Sequence, residues 1–191
     1  MSSKKMDRRK KYTRMVLKDS LLQLLKEKQF SAITVKEICE TADINRSTFY
    51  AHYTDQYELL EKIEEEMIDD LNLYLRSYNF KEKNEVLQMT EKIIEYFSEK
   101  KDEVQILLNT SSHSSFQLKV MEVAHRYISK QWKEFEHMDE DLAKYLSVFI
   151  VSGSVQVIKL WLNDDDGLEK SPKEMALFIN NLIDKGVYGS V

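Results

Sequence analysis

The run from Asn45 to Tyr53 (Asn-Arg-Ser-Thr-Phe-Tyr-Ala-His-Tyr) holds the chain's densest group of side chains suited to recognition. Arg46 brings a planar fork of donors, Ser47, Thr48 and Tyr50 bring hydroxyls, and His52 brings ring nitrogens. Read as a helix from about 46 to 53, at about 100° per residue, the segment sorts itself by direction. Phe49 and Tyr53 are four apart and face inward. Ser47 and Ala51 form the outward crest, flanked by Arg46, Thr48 and Tyr50. Small residues on the crest let a backbone come close, while the longer polar residues reach base edges and phosphates. A face of this kind suits the DNA major groove. Arg46 would then make a base-edge or phosphate contact, and Ser47 and Thr48 short polar or methyl contacts. Tyr50 and His52 would hydrogen-bond phosphates, which positions a helix without specifying sequence.

The flanking residues predict how this helix is held. Thr34 and Glu37 have capping-box spacing at the start of a helix whose inner face is Val35, Ile38, Cys39 and Ala42. Asp43 and Ile44 make the turn, with Ile44 as a core plug, and Asn45 is the next N-cap. Thr34 could also offer its hydroxyl and helix N–H groups to a phosphate. Before this pair, a helix over about 9–28 carries the stripe Leu17, Leu21, Leu24, Leu25. After it, Asp55 and Glu58 open a long helix to about Ser77 through Leu59, Leu60, Ile63, Met67, Leu71 and Leu75. Two short helices, a tight turn and a third helix constitute a helix-turn-helix.

The rest of the chain continues the helical pattern, with amphipathic or apolar segments over about 85–99, 102–110, 116–136, 139–163 and 171–185. Breaks are expected at 78–84, 110–115 and 163–167. One Pro and four Gly in 191 residues fit long helices and leave little room for sheet turns. The expected fold class is all-α, with a helix-turn-helix domain over 1–54 and a larger helical domain over 55–191. Charge divides at the same place. Residues 1–54 carry +6 and residues 55–191 carry −11, so a chain of net charge −5 still presents a basic end to nucleic acid. Lys4, Lys5, Arg8, Arg9 and Lys10 form a basic tail, read either as an electrostatic anchor on DNA or as a solubilising arm.

Several chemistries are excluded. A Gly-rich phosphate loop, a nucleophile elbow and a His-Glu metal motif are all missing, so no enzyme and no cofactor is expected. Cys39 is the lone cysteine, and His113, His125 and His137 lie at wide spacing, which argues against a metal site. The acidic run Asp164, Asp165, Asp166, Gly167 lacks the spaced ligands of a calcium loop. The charged N-terminus is no secretory signal, and an unpaired Cys suits a cytoplasmic location. Leu146–Leu162 contains Ser152, Ser154, Gln156 and Lys159. It reads as a buried helix, too short and polar to span a membrane.

These residues resemble the TetR family of bacterial transcriptional regulators. The resemblance rests on Ile38, Ala42, Ile44, the segment Asn45 to Tyr50, His52, Tyr53, Leu59 and Leu60. Residues 149–167 and 171–183 are similar to the last two helices of a branch common in Firmicutes. Two positions depart from the family: Ser47 stands where Gly is frequent, and Gln56 where a phosphate-binding Lys is frequent. The resemblance implies an all-α homodimer that binds a palindromic operator in double-stranded DNA, with 55–191 as the ligand-binding and dimerisation domain and an effector pocket among the middle helices. The residues expected at the DNA are Lys4, Lys5, Arg9, Thr34, Asn45, Arg46, Ser47, Thr48, Tyr50, His52 and Tyr53. Pocket candidates are Leu107, Phe116, Met121, His125, Phe149 and Trp161. Interface candidates are Ser152, Gly153, Val157, Ile179 and Leu182, although Gly153 between two serines could instead give slack to a pocket. The expected function is a repressor released by a small molecule, with no membrane partner. The alternatives are control by a partner protein and an all-α carrier without DNA function.

Overall fold

The computed structural model describes residues 2–78, 85–110, 115–132, 140–164 and 170–188, with side chains omitted for 2–7, 86, 127–132, 140–143 and 184–188. Nine α-helices and one 3-10 turn, Phe30–Ala32, occur among the described residues, and no strand does. The helices are α1 (Ser2–Glu27), α2 (Val35–Thr41), α3 (Arg46–Tyr50), α4 (Gln56–Arg76), α5 (Glu85–Glu99), α6 (Lys101–Asn109), α7 (Phe116–Trp132), α8 (Glu140–Asn163) and α9 (Pro172–Tyr188). Of the expected breaks at 78–84, 110–115 and 163–167, residues 79–84, 111–114 and 165–167 fall outside the described residues, as do His113 and His137.

Helix α1 begins seven residues earlier than the Leu stripe suggests. The added stretch is rich in Lys, Arg and Met, which are good helix formers, and holds neither Gly nor Pro. Helix α3 is shorter than expected. After Tyr50 the chain tightens, and the Phe49 carbonyl accepts from both His52 N (2.8 Å) and Tyr53 N (2.9 Å).

The chain divides into two compact units and passes from one to the other within α4 (Met67 to Ile68), within α6 (Gln105 to Ile106) and again between Ser115 and Phe116. Unit 1 comprises 1–67 and 106–115. In it α1 packs on α2 and α2 on α3, around Leu17, Leu21, Ile38, Phe49, Leu59, Leu60 and Ile63, all buried. Unit 2 comprises 68–105 and 116–191, where α5 packs on α9 and α7 on α8. Its buried side chains include Leu71, Leu75, Ile94, Phe97, Val123 and Ile158.

Reciprocal caps start three helices. At α2, Thr34 and Glu37 form the full capping box. At α9, Ser171 and Glu174 exchange the same bonds at 2.7–3.3 Å, and Pro172 stands at the first helical position. At α4, Asp55 Oδ1 accepts from Tyr57 N and Glu58 N, but Glu58 Oε2 accepts from Thr54 N (2.6 Å), one residue before the cap.

Helix α8 differs from its sequence reading. Its stretch Lys144–Asn163 is long and apolar enough to cross a membrane by length and composition, yet only 33% of it is buried. One such helix is weak evidence for a span, since core helices of soluble proteins pass the same test. Its inner face holds Ile150, Val151, Val155, Ile158 and Leu162; Tyr145, Val148, Phe149 and Leu160 are exposed.

Candidate nucleic-acid interface

The turn between α2 and α3 sets the angle of the recognition residues. Ile44 N donates to Cys39 O (2.9 Å) and Asp43 N to Glu40 O (3.3 Å), the two bonds of a Schellman stop. That stop requires a left-handed residue, and Asp43 takes it at φ 51°. Ile44 is half-buried, less of a plug than expected. Asn45 then caps α3, its Oδ1 accepting from Ser47 N (2.9 Å) and from Ser47 Oγ (3.0 Å).

With α3 fixed, its faces separate as the spacing predicts. Phe49 is fully buried and packs edge-on against Tyr50 (5.5 Å) and tilted against Tyr53 (5.8 Å). Asn45, Arg46, Ser47, Tyr50 and Ala51 are exposed, Tyr50 by 58%, while Thr48 and His52 are half-buried. These residues therefore form one outward polar face. Tyr53 is the exception in the expected set: only 7% exposed, it turns into unit 1. Arg9 is exposed on α1; Lys4 and Lys5 lie in α1, with side chains outside the described set.

Thr34 is exposed, but its cap engages it. Its hydroxyl and its N–H both donate to Glu37 Oε2 at 2.9 Å, and Glu37 N donates back to Thr34 Oγ1 (3.3 Å). Lys28 Nζ reaches the other carboxylate oxygen at 2.5 Å. These bonds hold the Glu37 carboxyl down at about 2, the Lys28 bond contributing most. His52 is pushed below its ordinary range, first by partial burial and then by the cations Arg14 and Lys10.

In unit 2, an apolar cavity of about 40 Å³ lies among α4, α5, α7, α8 and α9. Its lining includes Leu71, Met89, Ile93, Val120, Val155 and Ile179, with Thr90 and Ser154 as the polar side chains. None of the six expected pocket residues lines it. Leu107 is buried in unit 1, Phe116 is buried in unit 2, and Met121 is half-buried. His125 is exposed and its Nδ1 lies 2.7 Å from Ser147 Oγ. Phe149 is 76% exposed, because the helical period sets it opposite the buried face of α8; Trp161 Nε1 donates to Lys170 O (3.0 Å). Sequence alone gives little signal for the true lining, because its Ile, Leu and Val are the residues of any helical core.

The expected interface residues scatter in burial. Gly153 is exposed with nothing near a would-be Cβ, Leu182 is exposed, and Ser152 and Val157 are half-buried. Ile179 is buried and lines the cavity. Around them, Tyr145, Phe149 and Leu160 of α8 and Leu177, Phe178 and Leu182 of α9 are exposed apolar side chains.

Comparison with known proteins accounts for both parts of the chain. Residues 19–63 match the family described as bacterial regulatory proteins, tetR family, and residues 84–185 match a transcriptional regulator C-terminal region of the same family. An uncharacterized HTH-type transcriptional regulator, YxbF of Bacillus subtilis (strain 168), is 38% identical over 55 residues. That match covers 29% of this chain and 14% of the relative. The fold is similar to a TetR transcriptional regulator from Streptococcus agalactiae 2603V, with TM-score 0.73 and 22% identity over 95% of this chain and 98% of that one. It is also similar to a TetR-family regulator structure from Syntrophomonas wolfei str. Goettingen, with TM-score 0.72 and 16% identity over 95% and 97%. The chain belongs to the TetR family of DNA-binding bacterial transcriptional regulators.

Proposed function

We propose that this regulator is a homodimeric repressor that reads a palindromic operator with α3 and is released by a small apolar effector. The observation that carries the DNA reading is the exposed face of Asn45, Arg46, Ser47 and Tyr50 on a helix fixed by a cap at one end and by Phe49 beneath. Arg46 reads a base edge or a phosphate; Ser47 and Thr48 make short contacts; Tyr50 and His52 hold phosphates. Thr34 joins them only by sharing its hydroxyl with Glu37. Tyr53 supports α3 from beneath. Lys4, Lys5 and Arg9 add electrostatic attraction. Residues 1–54 act as the DNA-binding domain and 55–191 as the effector and dimerisation domain, and the protein works in the cytoplasm, where its operator is.

Dimerisation is supported by the exposed apolar side chains of α8 and α9, among them Tyr145, Phe149 and Leu160 at 71–76% exposure, which a second copy would cover. A two-fold pairing across this face would include Ser152, Gly153, Val157 and Leu182, and two recognition helices would meet half-sites one DNA turn or more apart. The apolar cavity supports an effector that is itself apolar. The effector must bind the two conformations unequally for the operator to be released. Helices α4 and α6 both run from one unit into the other, and α4 starts six residues after α3 ends, so α4 carries that preference to α3.

A second reading is favoured by the cavity's size. At about 40 Å³ it is far below the ~300–1,000 Å³ of ordinary ligand pockets, which suits control by a partner protein. Selecting purified protein on a pool of random duplexes tests the DNA reading. One enriched palindrome is expected; retention without a motif would contradict it.

A further inference from the structure

Asn45 and Ser47 are both exposed at the start of α3, and the bonds between them fix what each can offer a partner. Ser47 N donates to Asn45 Oδ1 at 2.9 Å, and Ser47 Oγ lies 3.0 Å from the same oxygen. A backbone N–H can only donate, so the atom facing it is the carbonyl oxygen of the amide and not its nitrogen. That oxygen can only accept. The Ser47 hydroxyl therefore commits its single proton to Asn45, and what it turns outward is lone pairs. Asn45 is constrained in the opposite sense. Its Oδ1 already takes two donors, so its outward groups are the two N–H bonds of Nδ2. The cap that starts the helix thus also sets the hydrogen-bonding polarity of its exposed face.

We propose that Ser47 is a fixed acceptor that selects, at one base position in each half-site, the amino bases adenine or cytosine over the keto bases guanine or thymine. The inference rests on the reading of α3 as the major-groove helix and specifies which bases it takes. On the major-groove edge adenine N6 and cytosine N4 carry donors, while guanine O6 and thymine O4 are acceptors. An amino base meets the Ser47 lone pairs directly. A keto base sets acceptor against acceptor, unless the hydroxyl rotates and gives up its bond to Asn45 Oδ1. The same bonds rule out a bidentate adenine contact by Asn45, because that contact needs Oδ1 to accept from N6 while Nδ2 donates to N7. Ser47 stands where Gly is frequent, and Gly has no hydroxyl, so the selection belongs to this chain's own residues.

The test is selection of the full chain and its variants on one pool of random duplexes, followed by affinities on matched duplexes. Wild type should restrict one position per half-site to adenine or cytosine on one strand. Placing a keto base there should weaken binding roughly 2–10-fold, the worth of one neutral hydrogen bond. Ser47→Ala should level that position and leave the rest of the motif unchanged. Asn45→Ala frees the hydroxyl proton, so guanine and thymine should become acceptable at the same position with Ser47 still in place. Asn45→Asp keeps an oxygen for both bonds and should keep the preference. Circular dichroism checks each variant, and Ser47→Ala leaves the cap on the backbone intact should Asn45→Ala fail to fold. A Ser47→Ala motif identical to that of wild type would overturn the proposal. So would a guanine or thymine preference at the Ser47-dependent position, since that requires a donating hydroxyl. Arg46→Ala on the wild-type duplex separates the two readings. Affinity lost through Arg46, with a motif indifferent to Ser47, overturns this proposal alone; affinity unchanged by Arg46→Ala sinks the α3 reading and this one with it.

Discussion

Lys28 donates to Glu37 at 2.5 Å, and the same carboxylate closes the N-terminus of α2 through Thr34. One ion pair therefore ties the chain after α1 to the helix that braces the recognition element. The carboxyl is held at about 2, below its ordinary 4.5, so its charged form is favoured by the fold. The stability it contributes is complete above pH 4.5 and is lost as pH falls toward 2, because the unfolded chain takes up the proton first. Glu37→Gln should flatten that part of the acid-unfolding curve. A variant curve parallel to wild type between those pH values would show that the pair adds nothing.

Asp43 holds a left-handed backbone that the Schellman stop demands. Glycine occupies that conformation without the Cβ penalty, so Asp43→Gly should raise stability by up to about 1 kcal/mol. Asp43→Val should lower it. Thermal melts of the two variants should move in opposite directions.

The exposed apolar side chains of α8 and α9 make a prediction about assembly. Phe149→Glu places a charge where the proposed partner copy would bury a ring, a side chain whose burial is worth about 1.5–3 kcal/mol. Sedimentation should show a monomer with unchanged helicity, and operator affinity should fall with it. A variant that stays dimeric would move the interface elsewhere.

The cavity in unit 2 permits changes in both directions. Ala124→Val adds volume to its wall and should stabilise by about 0.5–2 kcal/mol. Ile93→Ala enlarges it and should cost about 2–5 kcal/mol. Denaturant unfolding reads both; if Ala124→Val destabilised, the cavity would be too narrow to fill.

Sequence reading reached furthest where spacing and chemistry reinforce one another. Thr34 with Glu37, Asn45 before α3, and buried Phe49 were all legible, because caps and helical periods are local rules. The start of α1 was not, since a basic stretch has helix propensity but no apolar stripe to announce it. The cavity lining was invisible for a different reason. Leu71, Ile93 and Val155 meet only through tertiary packing, and nothing in their types separates a cavity wall from a filled core.

The central claim, that Arg46 and its neighbours on α3 read DNA sequence, is tested most directly by measuring wild type and Arg46→Ala on the selected duplex and on its scrambled counterpart. A base contact predicts a loss of about 1–3 kcal/mol on the selected duplex, a much smaller loss on the scrambled one, and an unchanged thermal melt. Equal affinity of the two proteins for the selected duplex would contradict the assignment of α3 as the recognition helix.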